Sequence, residues 1–204
     1  MFSAKENRTV LYVHGKDGSA KESERYKALF PDYNIVGLDY ETFSPWETGR
    51  EISAAVKDIR GEIILIANSI GAYFSLCAGI DDRIGEAYFI SPVVDMERMI
   101  LDLMALCGVE ERDLQKRGVI PTDFGEDLSW EYLSYVRSHP VRWNAPTHIL
   151  YGSEDRLVPF ETVCAFSKNH GASLTVMEGG EHWFHTEEQM RFLDAWVRET
   201  RRKN

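Results

Sequence analysis

"ILIANSIGAYF", residues 64–74, joins one apolar run to another through a serine set among small residues. Ile63 to Ala67 is unbroken hydrophobic sequence, which marks a strand covered on both faces. No turn residues follow Ser69, so the chain passes directly from a strand (61–69) into a helix (70–79). Such a turn lifts a hydroxyl clear of the sheet and aims a helix N-terminus at it, the geometry that exposes a nucleophile. Strand and helix backbones nearly touch there, so the neighbours must be small. Ala67 and Gly71 meet that need, with alanine in place of the first glycine of G-x-S-x-G. Taken alone, S-x-G is common, and a plain serine at the end of a buried strand is the better reading.

Working outward, strand and helix patterns alternate almost from end to end. Strands are predicted at 9–15 ("TVLYVHG"), 33–40, 85–91, 147–153 and 173–179. Between them, Ser19 and Glu22 have capping-box spacing ahead of Tyr26, Leu29 and Phe30, and Ser44-Pro45 opens a helix that places Ile52, Ala55, Val56 and Ile59 on one face. Phe160, Val163 and Phe166 mark a helix stopped by Gly171, and Thr186–Gln189 caps a last helix carrying Met190, Leu193, Trp196 and Val197. Repeated strand–helix–strand units predict an α/β fold: a doubly wound, mainly parallel sheet with right-handed crossovers and helices on both faces. Residues 92–146 break the rhythm. Met96, Met99, Ile100, Leu103 and Met104 suggest one amphipathic helix ended by Gly108, and Trp130, Leu133 and Val136 suggest another. We expect one domain over 1–204, with 92–146 inserted after the fourth strand as a small helical lid.

The chain has 204 residues, 44% of them hydrophobic, enough for one sizeable core. Its net charge of −10, with scattered Lys and Arg apart from Arg201-Arg202-Lys203, argues against nucleic acid and anionic membrane as partners. Cys77, Cys107 and Cys164 are odd in number and widely spaced, which speaks against a disulfide framework or a zinc site. "MFSAKENR" is polar where a secretory signal is apolar, and no run approaches the roughly eighteen apolar residues that span a bilayer. A cytoplasmic location is the expectation. With neither G-x-G-x-x-G nor a P-loop, no cofactor is expected, and no histidine has a partner at metal-ligand spacing.

A serine hydroxyl needs a base, a group to orient that base, and donors for the oxyanion. "YGSEDRLVP" places Asp155 just beyond the fifth predicted strand of the sheet, and "EGGEHWF" places His182 just beyond the sixth. Each has a plain reading, as a turn residue and as a loop histidine packed by Trp183. Together they give Ser69, Asp155 and His182 in that order, all at carboxyl ends of parallel strands, where open α/β sheets carry their sites.

At these residues the sequence resembles the α/β-hydrolase superfamily, over nearly its whole length. The resemblance rests on "HGKDGS" (14–19), the serine turn, the pattern Gly152, Asp155, Val158, Pro159, and a histidine following paired glycines. It implies Ser69 as nucleophile, His182 as general base and then acid, and Asp155 holding the imidazole tautomer. It also implies an oxyanion hole from the backbone N–H groups of Ile70 and Lys16. The antiparallel strands that usually open this fold are not expected, since about eight residues precede the first strand. That leaves six parallel strands in the order 2-1-3-4-5-6.

Asp95, after the fourth strand, is a rival for the acid, although it also suits the N-cap of the helix starting at Met96. His14 fits an ordering role in the oxyanion loop, and His185 merely precedes the last helix. Asn68 either faces the site or packs. Met99, Trp130 and Trp183 are candidates for an acyl pocket, or simply pack. The expected activity is hydrolysis of a small carboxylic ester through an acyl-enzyme on Ser69. Alternatives are thioester, amide or peptide hydrolysis with the same three residues, or a catalytically silent hydrolase-like scaffold that binds a ligand. The oligomeric state is not legible.

Overall fold

Six of the predicted apolar runs are too hydrophobic to remain in water and too short to be buried singly, so they associate edge to edge. The structure is a computed structural model and describes residues 8–123 and 125–203. Its strands are β1 (Arg8–Val13), β2 (Asn34–Leu38), β3 (Glu62–Asn68), β4 (Glu86–Ile90), β5 (Val119–Ile120), β6 (Leu128–Ser129), β7 (Thr147–Gly152) and β8 (Ser173–Met177). The main sheet is parallel throughout, in the order β2-β1-β3-β4-β7-β8. The expected 2-1-3-4-5-6 differs in detail because β5 and β6, an antiparallel ribbon of two residues a side, occupy the fifth and sixth places along the chain. Strands this short leave no alternating pattern to read.

The helices are α1 (Pro45–Asp58), α2 (Ile70–Cys77), α3 (Met96–Leu106), α4 (Glu111–Arg117), α5 (Trp130–Ser138), α6 (Phe160–His170) and α7 (Glu187–Lys203). Period-2 alternation sends Val10, Tyr12, Ile64, Ile66, Tyr88 and Ile90 to one face of the sheet. There they form one buried cluster with Tyr26, Leu29 and Phe30 and with Leu193, Trp196 and Val197 of α7. Each large side chain buried in this way contributes about 1.5–3 kcal/mol. Phe89 and Tyr151 have the opposite parity, and their rings meet Trp143 and Phe160.

The segment after Ser19 is a 3-10 helix, Ala20–Ala28, where an ordinary amphipathic helix was expected. Its buried residues, Ser23 and Tyr26, lie three apart, the spacing at which 3-10 side chains line up. Arg25 fastens this segment to α7 through Asp194, at 2.6 Å.

Residues 8–94 and 142–203 form one compact unit and Asp95–Val141 another. Within the second, Ile100, Met104, Leu114, Ile120, Leu128 and Leu133 are buried. Arg137 of α5 reaches both Glu97 of α3 (2.7 Å) and Glu111 of α4 (2.6 Å). Helix α4, "ERDLQKR", buries only Leu114, so no apolar stripe announces it in the sequence. Asp95 caps α3, accepting the Arg98 N–H at 2.9 Å. Among the described residues no helix is long and apolar enough to cross a membrane, no cluster of three potential metal ligands occurs, and the three cysteines are free.

Burial raises the pKa of Tyr12, Tyr26, Tyr40 and Tyr88 well above the ordinary 10.0. Unfolding returns each to 10.0, where it releases its proton more readily than in the native state. The stability these groups contribute is therefore intact below pH 10.0 and is lost as pH rises beyond it. Urea unfolding followed at increasing pH should show an alkaline fall in midpoint that coincides with the appearance of tyrosinate absorbance.

Candidate active site

β3 runs straight into α2, and Ser69 sits at the junction with φ 50° and ψ −122°, a conformation that side-chain-bearing residues rarely adopt. Backbone hydrogen bonds hold it there: Ser69 N–H donates to Ile90 O (3.0 Å), and Ser69 O accepts from Ala72 (3.1 Å) and Val93 (3.0 Å). Clearance explains the small neighbours. A Cβ on Gly71 would collide with the His14 carbonyl oxygen, and one on Gly15 would lie 3.2 Å from the Ser69 Cβ. Ala67, by contrast, is accommodated in full burial beside Val13 and Phe89. Of the two small flanking positions, only Gly71 has no room to spare.

Ser69 Oγ lies 2.8 Å from His182 Nε2, and His182 Nδ1 lies 2.7 Å from Asp155 Oδ2. The Asp155 side chain is fully buried, and its other oxygen accepts the N–H groups of Leu157 and Val158, both at 2.9 Å. One carboxylate oxygen is thus saturated by backbone and the other faces the imidazole. Because a carboxylate only accepts, Nδ1 carries the proton and Nε2 is left to accept from the serine. Two loops must touch for this to happen. Glu154 N–H donates to Gly180 O (2.8 Å) and Gly179 N–H to Ser153 Oγ (2.8 Å), and a Cβ on Gly152 would strike the Gly180 carbonyl. Of the paired glycines before His182, Gly180 serves that approach, and Gly179 takes a positive φ of 71° with open space around it.

The 14–18 turn is built around one carbonyl. Gly15 O accepts from His14 Nδ1 (2.7 Å) and from Gly18 N–H (3.2 Å). Across a trans peptide the Lys16 N–H points the opposite way, so pinning the oxygen also aims the amide. His14 stacks on Tyr40, ring centroids 4.2 Å apart. Ile70 opens α2, where the first N–H groups have no acceptor within the helix.

A cavity of about 710 Å³ opens over Ser69 and His182. Its apolar walls come from Tyr12, Tyr26, Ile90, Phe184, Met190 and Leu193, and Lys16, Lys21 and Arg25 stand along one side. Trp183 lines it too and is 70% exposed. Met99, on α3, and Trp130, which opens α5, belong to the Asp95–Val141 unit. The residues missed were those of β1, the 3-10 helix and α7. Their one sequence signal was parity, which sets Tyr12, Ile66 and Asn68 on the same sheet face. Burial pushes the Cys77 thiol up to about 11.

No family model and no curated protein matches the sequence. Solved structures do match its fold. Est1E from Butyrivibrio proteoclasticus superposes with a TM-score of 0.74 at 19% identity, over 98% of this chain and 88% of its own. Alpha/beta hydrolase domain-containing protein 10 from mouse gives 0.77 at 13%, over 96% and 90%. A monoacylglycerol lipase from Paleococcus ferrophilus gives 0.65 at 16%, over 94% of each chain. This chain has the α/β-hydrolase fold. In that fold Ser69, Asp155 and His182 follow the carboxyl ends of β3, β7 and β8, and the strand order reverses between the neighbours β1 and β3.

The clearances can be tested directly. Gly71→Ala should lower the unfolding free energy by about 1–3 kcal/mol in urea titrations. Gly85→Ala, whose Cβ would meet nothing closer than 3.6 Å, should change it by less than about 0.5 kcal/mol.

Proposed function

We propose that this protein is a serine hydrolase that cleaves a small carboxylic ester through an acyl-enzyme on Ser69. The observation that carries the reading is the unbroken chain from Ser69 Oγ through His182 to the buried Asp155, ending on a serine in a strained strand-to-helix turn. In this reading His182 Nε2 takes the serine proton as Oγ attacks the carbonyl carbon. The tetrahedral oxyanion accepts from the N–H groups of Ile70 and Lys16. Collapse breaks the bond to the alcohol, which leaves with the proton from His182. Water then repeats the sequence, giving its proton to His182 while its oxygen attacks the acyl carbon, and the acid is released. Asp155 stays ionised, holds the ring and stabilises the imidazolium.

A monoacylglycerol lipase among the solved structures that share this fold supports an ester as the bond. The substrate is then a small ester or acyl molecule, without a cofactor, and the enzyme acts in the cytoplasm. We further propose that 92–146 serves as the lid of a single hydrolase domain, with Met99, Trp130 and Trp183 selecting the acyl group.

A fluorophosphonate probe should label the full chain and fail to label Ser69→Ala. Absence of labelling in the unmodified protein would remove the serine-hydrolase reading. On p-nitrophenyl esters of rising chain length, Asp155→Asn should lower kcat by about 10⁴-fold by spoiling the tautomer. Asp95→Asn should leave kcat unchanged, because asparagine caps a helix as well as aspartate does. The reverse pattern would transfer the orienting role to Asp95.

A further inference from the structure

Beside Ser69 runs a hydrogen-bond chain that the proposed reaction does not use. Tyr12 of β1 pairs in register with Ile66 of β3, so its ring extends toward Asn68, the residue immediately before the serine. Asn68 Nδ2 donates to the Tyr12 hydroxyl oxygen at 2.9 Å. That hydroxyl donates in turn to Glu22 Oε2 at 2.5 Å, and the other Glu22 oxygen accepts the Ser19 N–H at 3.1 Å. The chain therefore links the end of the 14–19 loop to the start of the nucleophile turn.

Its direction is forced. A carboxylate can only accept, so the single Tyr12 proton is committed to Glu22 and the Tyr12 oxygen must accept. Burial first, and Glu22 in addition, raises the Tyr12 pKa far above its ordinary value, so the hydroxyl keeps that proton. Asn68 must then present its NH₂, and its buried Oδ1 meets no hydrogen-bond donor among the described residues. Rotating the amide would bring Oδ1 against an oxygen with no proton to give. An orphaned buried acceptor next to a serine at φ 50° is an unfavourable pair of features, and such features persist where surrounding contacts over-determine them. Backbone hydrogen bonds secure Ser69 itself and the residues after it. The Asn68 amide is the side-chain hold on the residue before it.

We propose that Tyr12 is a positioning residue: through Asn68, and with its polarity set by Glu22, it holds the turn that carries Ser69 in attacking geometry against the loop that carries Lys16. This rests on Ser69 being the nucleophile.

The test is a double-mutant cycle in the full chain, with Y12F, N68A and Y12F/N68A, read as kcat and KM on a p-nitrophenyl ester and as the rate of fluorophosphonate labelling. Y12F should lower kcat and the labelling rate about tenfold with KM little changed. N68A should do the same, and the double variant should be no slower than either single one. Y88F is the matched control, because Tyr88 is equally buried and also donates to a glutamate, Glu86, at 2.9 Å. It should match Y12F in lost stability and leave kcat unchanged. A Y12F enzyme as fast as the unmodified one, losses that multiply in the double variant, or an equal loss of kcat in Y88F would each overturn the proposal while leaving Ser69 as nucleophile. If Y12F does not fold, N68A decides alone, and an unaltered kcat sinks the idea. If the unmodified chain does not label, both readings fall together.

Discussion

The close approach of three backbone segments around Ser69 is the constraint on which the remainder of the site depends. The end of β1, the end of β3 and the start of α2 meet so tightly that Gly71 has no room for a methyl group beside the His14 carbonyl. Ser69 is held at positive φ as a result, a strain of order 1–3 kcal/mol that a flexible loop would release. A sheet buried on both faces resists that release. The strain persists because Ile90 and Val93 on the neighbouring strand and its extension bond both sides of the Ser69 backbone.

The second requirement is that two further loops reach the same place. Asp155 and His182 follow β7 and β8, which pair with each other, so their loops emerge side by side. Glycines at 152 and 180 allow those loops to interlock, and backbone donors occupy one Asp155 oxygen so that the other faces the ring. A buried carboxylate with three hydrogen bonds is well satisfied, which is why a charge can be kept at a position without solvent. The surroundings of Asp155 are thus built from the same tight packing as the serine turn. The two halves of the site share a design in which glycine marks contact and not flexibility.

Much of this was legible from local pattern. Short apolar runs, unbroken in Ile63–Ala67, announced the strands of the main sheet, and Thr186–Gln189 capped α7 as its spacing implied, with Gln189 N–H donating to Thr186 Oγ1 at 3.2 Å. The 3-10 winding of Ala20–Ala28 was not legible, because its three-residue period follows from what lies beneath it. Helix α4 was missed because a helix that buries one leucine has almost no amphipathic signature. The β5–β6 ribbon is too short to have a period at all. Of the acyl-pocket candidates, Trp183 borders the cavity around Ser69, together with residues of β1, the 3-10 helix and α7.

By itself the sequence determined the run of strands and helices and the identity and order of Ser69, Asp155 and His182. These are encoded locally: hydrophobic period, capping residues, glycines and the residues that end strands act over a few positions. Only the tertiary structure decided which side chains border the serine, that Asn68 is gripped by Tyr12, and that Glu22 sets the direction of that grip. Those facts join residues 12, 22 and 68, which no local rule relates. They exist because parallel pairing sets β1 beside β3 and packing lays the 3-10 helix against that face of the sheet.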